Sequence, residues 1–106
     1  MKYISTRGGG VPQSFAEVLL TGLAPDGGLY VPMELPSFNQ EQIASWRDLS
    51  YVDLAFEVIS PFVGDSLLPE ELRRIIIKGY SGFDHPEVAP LTALRDKEFL
   101  LELYHG

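Results

Sequence analysis

Few side chains in this 106-residue chain are arranged to bind an anion, move a proton or attack an electrophile. Gly8, Gly9 and Gly10 offer consecutive amides of the kind that hold phosphate. A phosphate loop also needs a following helix and a Lys with Ser or Thr in register, and neither is present, so a flexible loop is expected. Gly27 and Gly28 would let a ligand approach the backbone, although two glycines after Pro25 and Asp26 also make a turn. Arg7 has the donor fork that matches phosphate oxygens, while a lone Arg of this kind more often forms a surface ion pair. Asp53 and Glu57 stand one helical turn apart, as paired carboxylates must, but opposite much of the apolar stripe, which reads as a solvated face. His85, just before Pro86, reads as a solvated loop residue. His105 follows an apolar strand, where it either faces a site or frays. No nucleophile–base pair or metal-ligand spacing occurs, so the residues assign no catalytic group and no metal.

The elements that must carry these residues follow from caps and breakers. Tyr3 and Ile4 suit a strand ended by the Gly8–Gly10 stretch. Ser14 and Glu17 form a capping box for a helix over 15–21, with Phe15, Val18 and Leu19 on one face and Gly22 closing it. Pro25 to Gly28 make a turn, and Leu29, Tyr30 and Val31 a strand stopped by Pro32. Asn39 and Gln42 cap a short helix that includes Ile43 and Trp46. Ser50 and Asp53 begin a third, with Tyr51, Leu54, Ala55, Val58 and Ile59 inward, until Pro61 interrupts it. Pro69 opens a fourth, with Leu72, Ile75 and Ile76 buried and a stop at Gly79. Two apolar runs, 91–94 and 99–104, flank a polar link and predict a hairpin, which the first strand is expected to join. The expected class is α+β: one domain, a small helical cluster on a few short strands.

Composition narrows the partners. Eight basic against fifteen acidic residues give a net charge of −7, which repels nucleic acid. With no cysteine the chain reads as cytosolic, and no apolar run reaches the roughly 18 residues of a membrane span. Hydrophobic residues make up 45%, enough for a core. The apolar run that stops at Tyr104 without a polar tail is expected to be the edge of a larger protein.

Three blocks carry a more specific signal. Lys2 to Arg7, Gly22 to Pro32 and Glu102 to Gly106 together, in order and spacing, resemble the amino-terminal region of threonine synthases. The resemblance spans the chain, with Tyr104 standing where Phe is the more frequent residue. It implies a parent enzyme of the tryptophan synthase β type that uses pyridoxal phosphate, an electron sink, to convert O-phosphohomoserine and water to threonine and phosphate. The family's cofactor lysine follows the third block, beyond Gly106, and Lys2, Lys78 and Lys97 do not match it. The resemblance therefore implies an inactive piece without its own cofactor, whose partner is the catalytic body. An exposed docking face would let it self-associate. His105 and Gly106 are the residues expected to border the active site, and Arg7 the expected phosphate contact. Two alternatives stay open: a stand-alone binding module, or part of a threonine-synthase-like phospholyase that only eliminates phosphate.

Overall fold

The computed structural model describes residues Met1–Gly106. Its helices start where side chains satisfy orphan amides. Ser14 and Glu17 exchange hydrogen bonds at the head of α1 (Phe15–Thr21), with the Glu17 carboxylate accepting the Ser14 amide at 2.7 Å. Asn39 and Gln42 do the same for α2 (Gln40–Ser45). The Ser50 hydroxyl accepts the Asp53 amide at 3.1 Å ahead of α3 (Tyr51–Val63). Pro69 opens α4 (Pro69–Tyr80), a position whose amide would have no partner in any case. The strands are β1 (Tyr3–Ser5), β2 (Tyr30–Pro32), β3 (Leu91–Arg95) and β4 (Glu98–Leu101), and the class is α+β as expected.

Strand pairing departs from expectation. β1 does not join the terminal hairpin. The turn at Pro25–Gly28 folds the next residues straight back, so β1 pairs antiparallel with β2, Ile4 opposite Val31, and the Thr6 amide extends the ladder to Leu29 O at 2.8 Å. The hairpin β3–β4 is a second two-stranded sheet, with Leu91 opposite Leu101 and Ala93 opposite Phe99.

Helix ends differ as well. α3 runs through Pro61 to Val63, since a proline this late removes a single ladder bond, and Gly64, at φ 61°, closes the helix with its amide on Ser60 O. α4 passes Gly79 to Tyr80, whose ring holds the last turn by packing 5.0 Å from Tyr51 and 5.1 Å from Phe83. Trp46 lies just past α2 and packs edge-on against Phe38 at 4.9 Å.

The core is the seam between α3 and α4. Ala55, Val63, Leu72 and Ile76 are buried there, with Phe15, Val52, Phe56, Ile59, Leu67 and Tyr80 packed around them. Tyr3 ties the first sheet to this seam by donating to Phe62 O at 2.7 Å. Several residues expected inside are outside: Leu19, Tyr51, Val58 and Ile75 are exposed. The reason is supply, since only 11 of 106 residues are buried and the helices cover one another along one face alone. The hairpin packs on no helix with more than incidental contact, and all nine of its strand residues are exposed. That projection stretches the molecule to 47 × 32 × 31 Å, with a radius of gyration of 16.6 Å. A compact chain of this length would have about 13 Å.

Candidate functional site

Two polar clusters bring together the residues singled out above. The first is built on the Pro25–Gly28 turn. Asp26 Oδ1 accepts the Ser5 hydroxyl at 2.7 Å and the Gly28 amide at 2.9 Å, and Oδ2 accepts the Gly9 amide at 2.9 Å. Arg7 Nη1 donates to the Asp26 carbonyl at 3.0 Å, so Arg7 caps the turn and does not form the surface ion pair expected of it. The Ser5 hydroxyl first, then the Gly28 amide, and after them the Gly9 amide and the Arg7 charge hold the Asp26 carboxyl below its usual range, against the opposing effect of burial. Gly28 is a glycine because Ser5 Oγ fills the place of a Cβ, with Asp26 Oδ1 and Thr6 Oγ1 beside it. The amides of Gly8, Gly9, Gly27 and Gly28 all bond within the chain. The cluster is thus a knot between the first two sequence blocks.

The second cluster surrounds His105, which is not frayed. Its side chain is only 13% exposed, with Nδ1 2.6 Å from Asp84 Oδ1 and Nε2 2.8 Å from Glu102 Oε2. Its carbonyl accepts the Asp84 amide at 3.0 Å. The hydrogen bond to Glu102 comes first, and that to Asp84 second, in raising the His105 pKa above its ordinary value. His105, Thr92 and Tyr104 in turn lower that of Glu102. His85 is not a free loop residue either. Its ring lies 4.9 Å from that of His105, and its Nδ1 accepts the Glu87 amide at 3.2 Å. A Cβ on Gly106 would lie 2.5 Å from Phe83 Cζ, so this glycine too is set by close packing. Beside the cluster, a concavity of about 430 Å³ is lined by the start of α3, the end of α4 and the loop carrying Phe83, His85 and Val88.

No hydrogen bond joins the two clusters. Asp53, expected on a solvated face, instead pairs with Arg73 across the α3–α4 seam, and the guanidinium lies 4.6 Å above the Phe56 ring. Both side chains remain some 40% exposed (44% and 41%), so the pair positions the helices more than it stabilises them. Sequence reasoning missed Asp84 altogether, which lies in no motif and twenty-one positions from His105, and it took Glu102 only as the first residue of the third block, without its bond to the His105 ring.

The residues present do not fit pyridoxal phosphate. The amides of Gly8, Gly9, Gly27 and Gly28 are committed, and Lys2, Lys78 and Lys97 lie on β1's approach, on α4 and in the β3–β4 turn respectively, so none shares a site with another. No group of three His, Asp or Glu side chains is arranged to hold a metal ion. No helix is long and apolar enough to cross a membrane.

Comparison with known proteins matches residues 2–80 to the family described as threonine synthase N terminus. The chain is 51% identical over 106 residues to threonine synthase of Pseudomonas aeruginosa, covering all of this chain and 23% of that protein. It is 43% identical over 107 residues to human threonine synthase-like 2, covering 22% of it. A crystal structure of pyridoxal-phosphate-bound threonine synthase from Brucella melitensis superposes with a TM-score of 0.94 at 45% identity, over 100% of this chain and 23% of that one. The chain thus spans less than a quarter of the length of these relatives. With most of its length matched by the family and all of it by full-length relatives, the chain belongs to the threonine synthase N-terminus family.

Proposed function

We propose that residues 1–106 are the amino-terminal domain of a threonine synthase, and that the whole protein converts O-phosphohomoserine and water to threonine and phosphate. The observation that carries this, beyond family membership, is the uncovered hairpin. Leu91, Ala93, Phe99 and Leu101 lie on one face, Leu94 and Leu100 on the other, and both faces are exposed. A strand pair apolar on both faces belongs inside a sheet covered on both sides, so the catalytic body of the same enzyme is the partner that fits it. In that protein pyridoxal phosphate supplies the electron sink, held by residues outside this chain. This domain contributes orientation: His105 and Gly106 border the active centre. Arg7, with one guanidinium donor committed to the turn and the others free of protein partners, is the residue here suited to a substrate phosphate oxygen. A cytoplasmic setting, expected from the absence of cysteine, belongs to the same proposal.

The test is an assay of the full-length gene product with O-phosphohomoserine, following phosphate, threonine and keto acid together. Equal release of threonine and phosphate is the expected result. Phosphate with keto acid alone would assign the protein to the phospholyase activity instead, and no turnover at all would leave the stand-alone binding module.

A further inference from the structure

The hairpin leans on the helical part chiefly through one side chain. β3–β4 packs on no helix with more than incidental contact, Gly106 abuts Phe83, and apart from the Glu102 amide on Pro90 O at the root of β3 the polar ties between the 98–106 segment and the loop after α4 are the Asp84 amide on His105 O and the Asp84 carboxylate on His105 Nδ1. On the other side of the same ring, Glu102 receives Nε2, while its second oxygen accepts the Thr92 hydroxyl of β3 at 2.8 Å and its amide donates to Pro90 O at 3.0 Å. His105 therefore joins the helical part to both strands.

The ring chemistry restricts how it does so. A neutral imidazole has one N–H donor and one acceptor nitrogen, whereas an ionised carboxylate only accepts. Both nitrogens of His105 face carboxylate oxygens, at 2.6 and 2.8 Å, so both must carry protons for neither carboxylate to be left facing a lone pair. The neighbours agree. Asp84 and His85 face the ring from the loop after α4, Glu102 and Tyr104 from beyond β4, and no lysine or arginine forms an ion pair with either carboxylate. The His85 Nδ1 accepts the Glu87 amide, and its ring lies tilted at 44° to that of His105.

We propose that His105 is a doubly protonated pin, held between Asp84 and Glu102, that sets the angle of the hairpin against the helical part and so positions the backbone leaving Gly106, making Asp84, Glu102 and His105 positioning residues for the enzyme. This rests on the proposed function for its kinetic consequence, but not for its protonation. Of the two carboxylates Glu102 matters more, because its side chain is 16% exposed against 77% for Asp84, where water competes. The raised pKa of His105 is the thermodynamic side of the same contact. The pin is complete below the ordinary histidine value of about 6.5 and loosens as pH rises through the raised one.

The experiment uses the full-length protein in wild-type, Glu102→Gln and Asp84→Asn forms, labelled with ¹⁵N-histidine and assigned through His105→Gln. In the wild type both ring nitrogens of His105 should show imidazolium shifts at pH 6, with a midpoint above that of a free histidine. Each carboxylate variant should lower that midpoint, Glu102→Gln the more. For turnover, kcat in Glu102→Gln should fall on the order of tenfold with KM little changed, as expected when reacting groups are displaced but substrate still binds. The alkaline limb of its kcat profile should begin at lower pH. A His105 that titrates like a free histidine and is indifferent to Glu102→Gln overturns the pin. So does an active wild type whose kcat, KM and pH profile are unchanged in both variants. If the wild type makes no threonine, the proposed function fails, and the ring titration alone decides for or against the pin.

Discussion

Replacing Gly28 by alanine places a methyl group where Ser5 Oγ already sits, 3.0 Å from Asp26 Oδ1 and 3.1 Å from Thr6 Oγ1. None of these neighbours yields cheaply. The Ser5 hydroxyl donates to Asp26 at 2.7 Å and accepts the Arg7 amide at 3.1 Å, and Thr6 Oγ1 accepts the Leu29 amide at 3.0 Å. The backbone is not the obstacle, because Gly28 lies outside the left-handed region. The cost is overpacking, about 1–3 kcal/mol. Gly8→Ala is the control: φ is +79° and nothing lies within 4 Å, so only the backbone penalty of about 1–2 kcal/mol applies. Urea unfolding followed by circular dichroism reads both as a lowered midpoint at unchanged slope. The discriminating measurement is Ser5→Ala in each background. It removes the atom in the way, so with Gly28→Ala it should show a favourable coupling of at least about 0.5 kcal/mol, and with Gly8→Ala none. Additive behaviour in the Gly28 pair would refute the close-approach argument and reopen the turn as a place left open for a ligand.

Truncating Ile76 to alanine, at 5% exposure in the α3–α4 seam, should cost about 2–5 kcal/mol in the same unfolding experiment, whereas Ile75→Ala, at 52% exposure, should cost far less. Glu17, Asp26 and Asp53 are all held below their ordinary pKa, chiefly by hydrogen bonds from Ser14, Ser5 and Ser50. Their stabilisation is therefore present above the unfolded carboxyl values of about 4 and is lost as pH falls through the lower folded ones, while that of His105 is lost in the opposite direction as pH rises. A stability–pH curve measured by urea midpoints should thus decline at both ends, and Asp26→Asn should flatten the acid side. Leu100→Lys on the uncovered hairpin should reduce self-association of the 106-residue chain in sedimentation, and an unchanged sedimentation profile would count against the hairpin as its sticky face.

What could be read from the sequence was local. Ser14 with Glu17, Asn39 with Gln42, Ser50 with Asp53 and Pro69 each announce a helix start within four residues, and each is used as such. The capping interaction is complete within one turn, so no distant residue can contradict it. What escaped was long-range. The partner of β1, the capture of Asp26 by Ser5 twenty-one positions earlier, and the grip of Asp84 on His105 twenty-one positions later depend on where the turns deliver the chain. The buried side of α3 was misjudged for a related reason. Periodicity set Tyr51 and Val58 inward with Leu54, Ala55 and Ile59 and left out Val52 and Phe56, which pack on the core instead, because α4's position decides which row is covered. The family blocks were legible because their spacing survives as a whole, and two of them are tied together here by a knot of hydrogen bonds.

The exposed hairpin also bears on how the chain survives its own synthesis. Phe99, Leu100 and Leu101 form an unbroken apolar run on a strand whose outer edge is unpaired, the kind of segment that seeds cross-β stacking between chains. Glu98 and Glu102 bracket that run, and stacking identical strands in register would pile carboxylate on carboxylate at both ends. Glu102 thus stands where a gatekeeper charge flanks an apolar run, and is at the same time a ligand of the His105 ring.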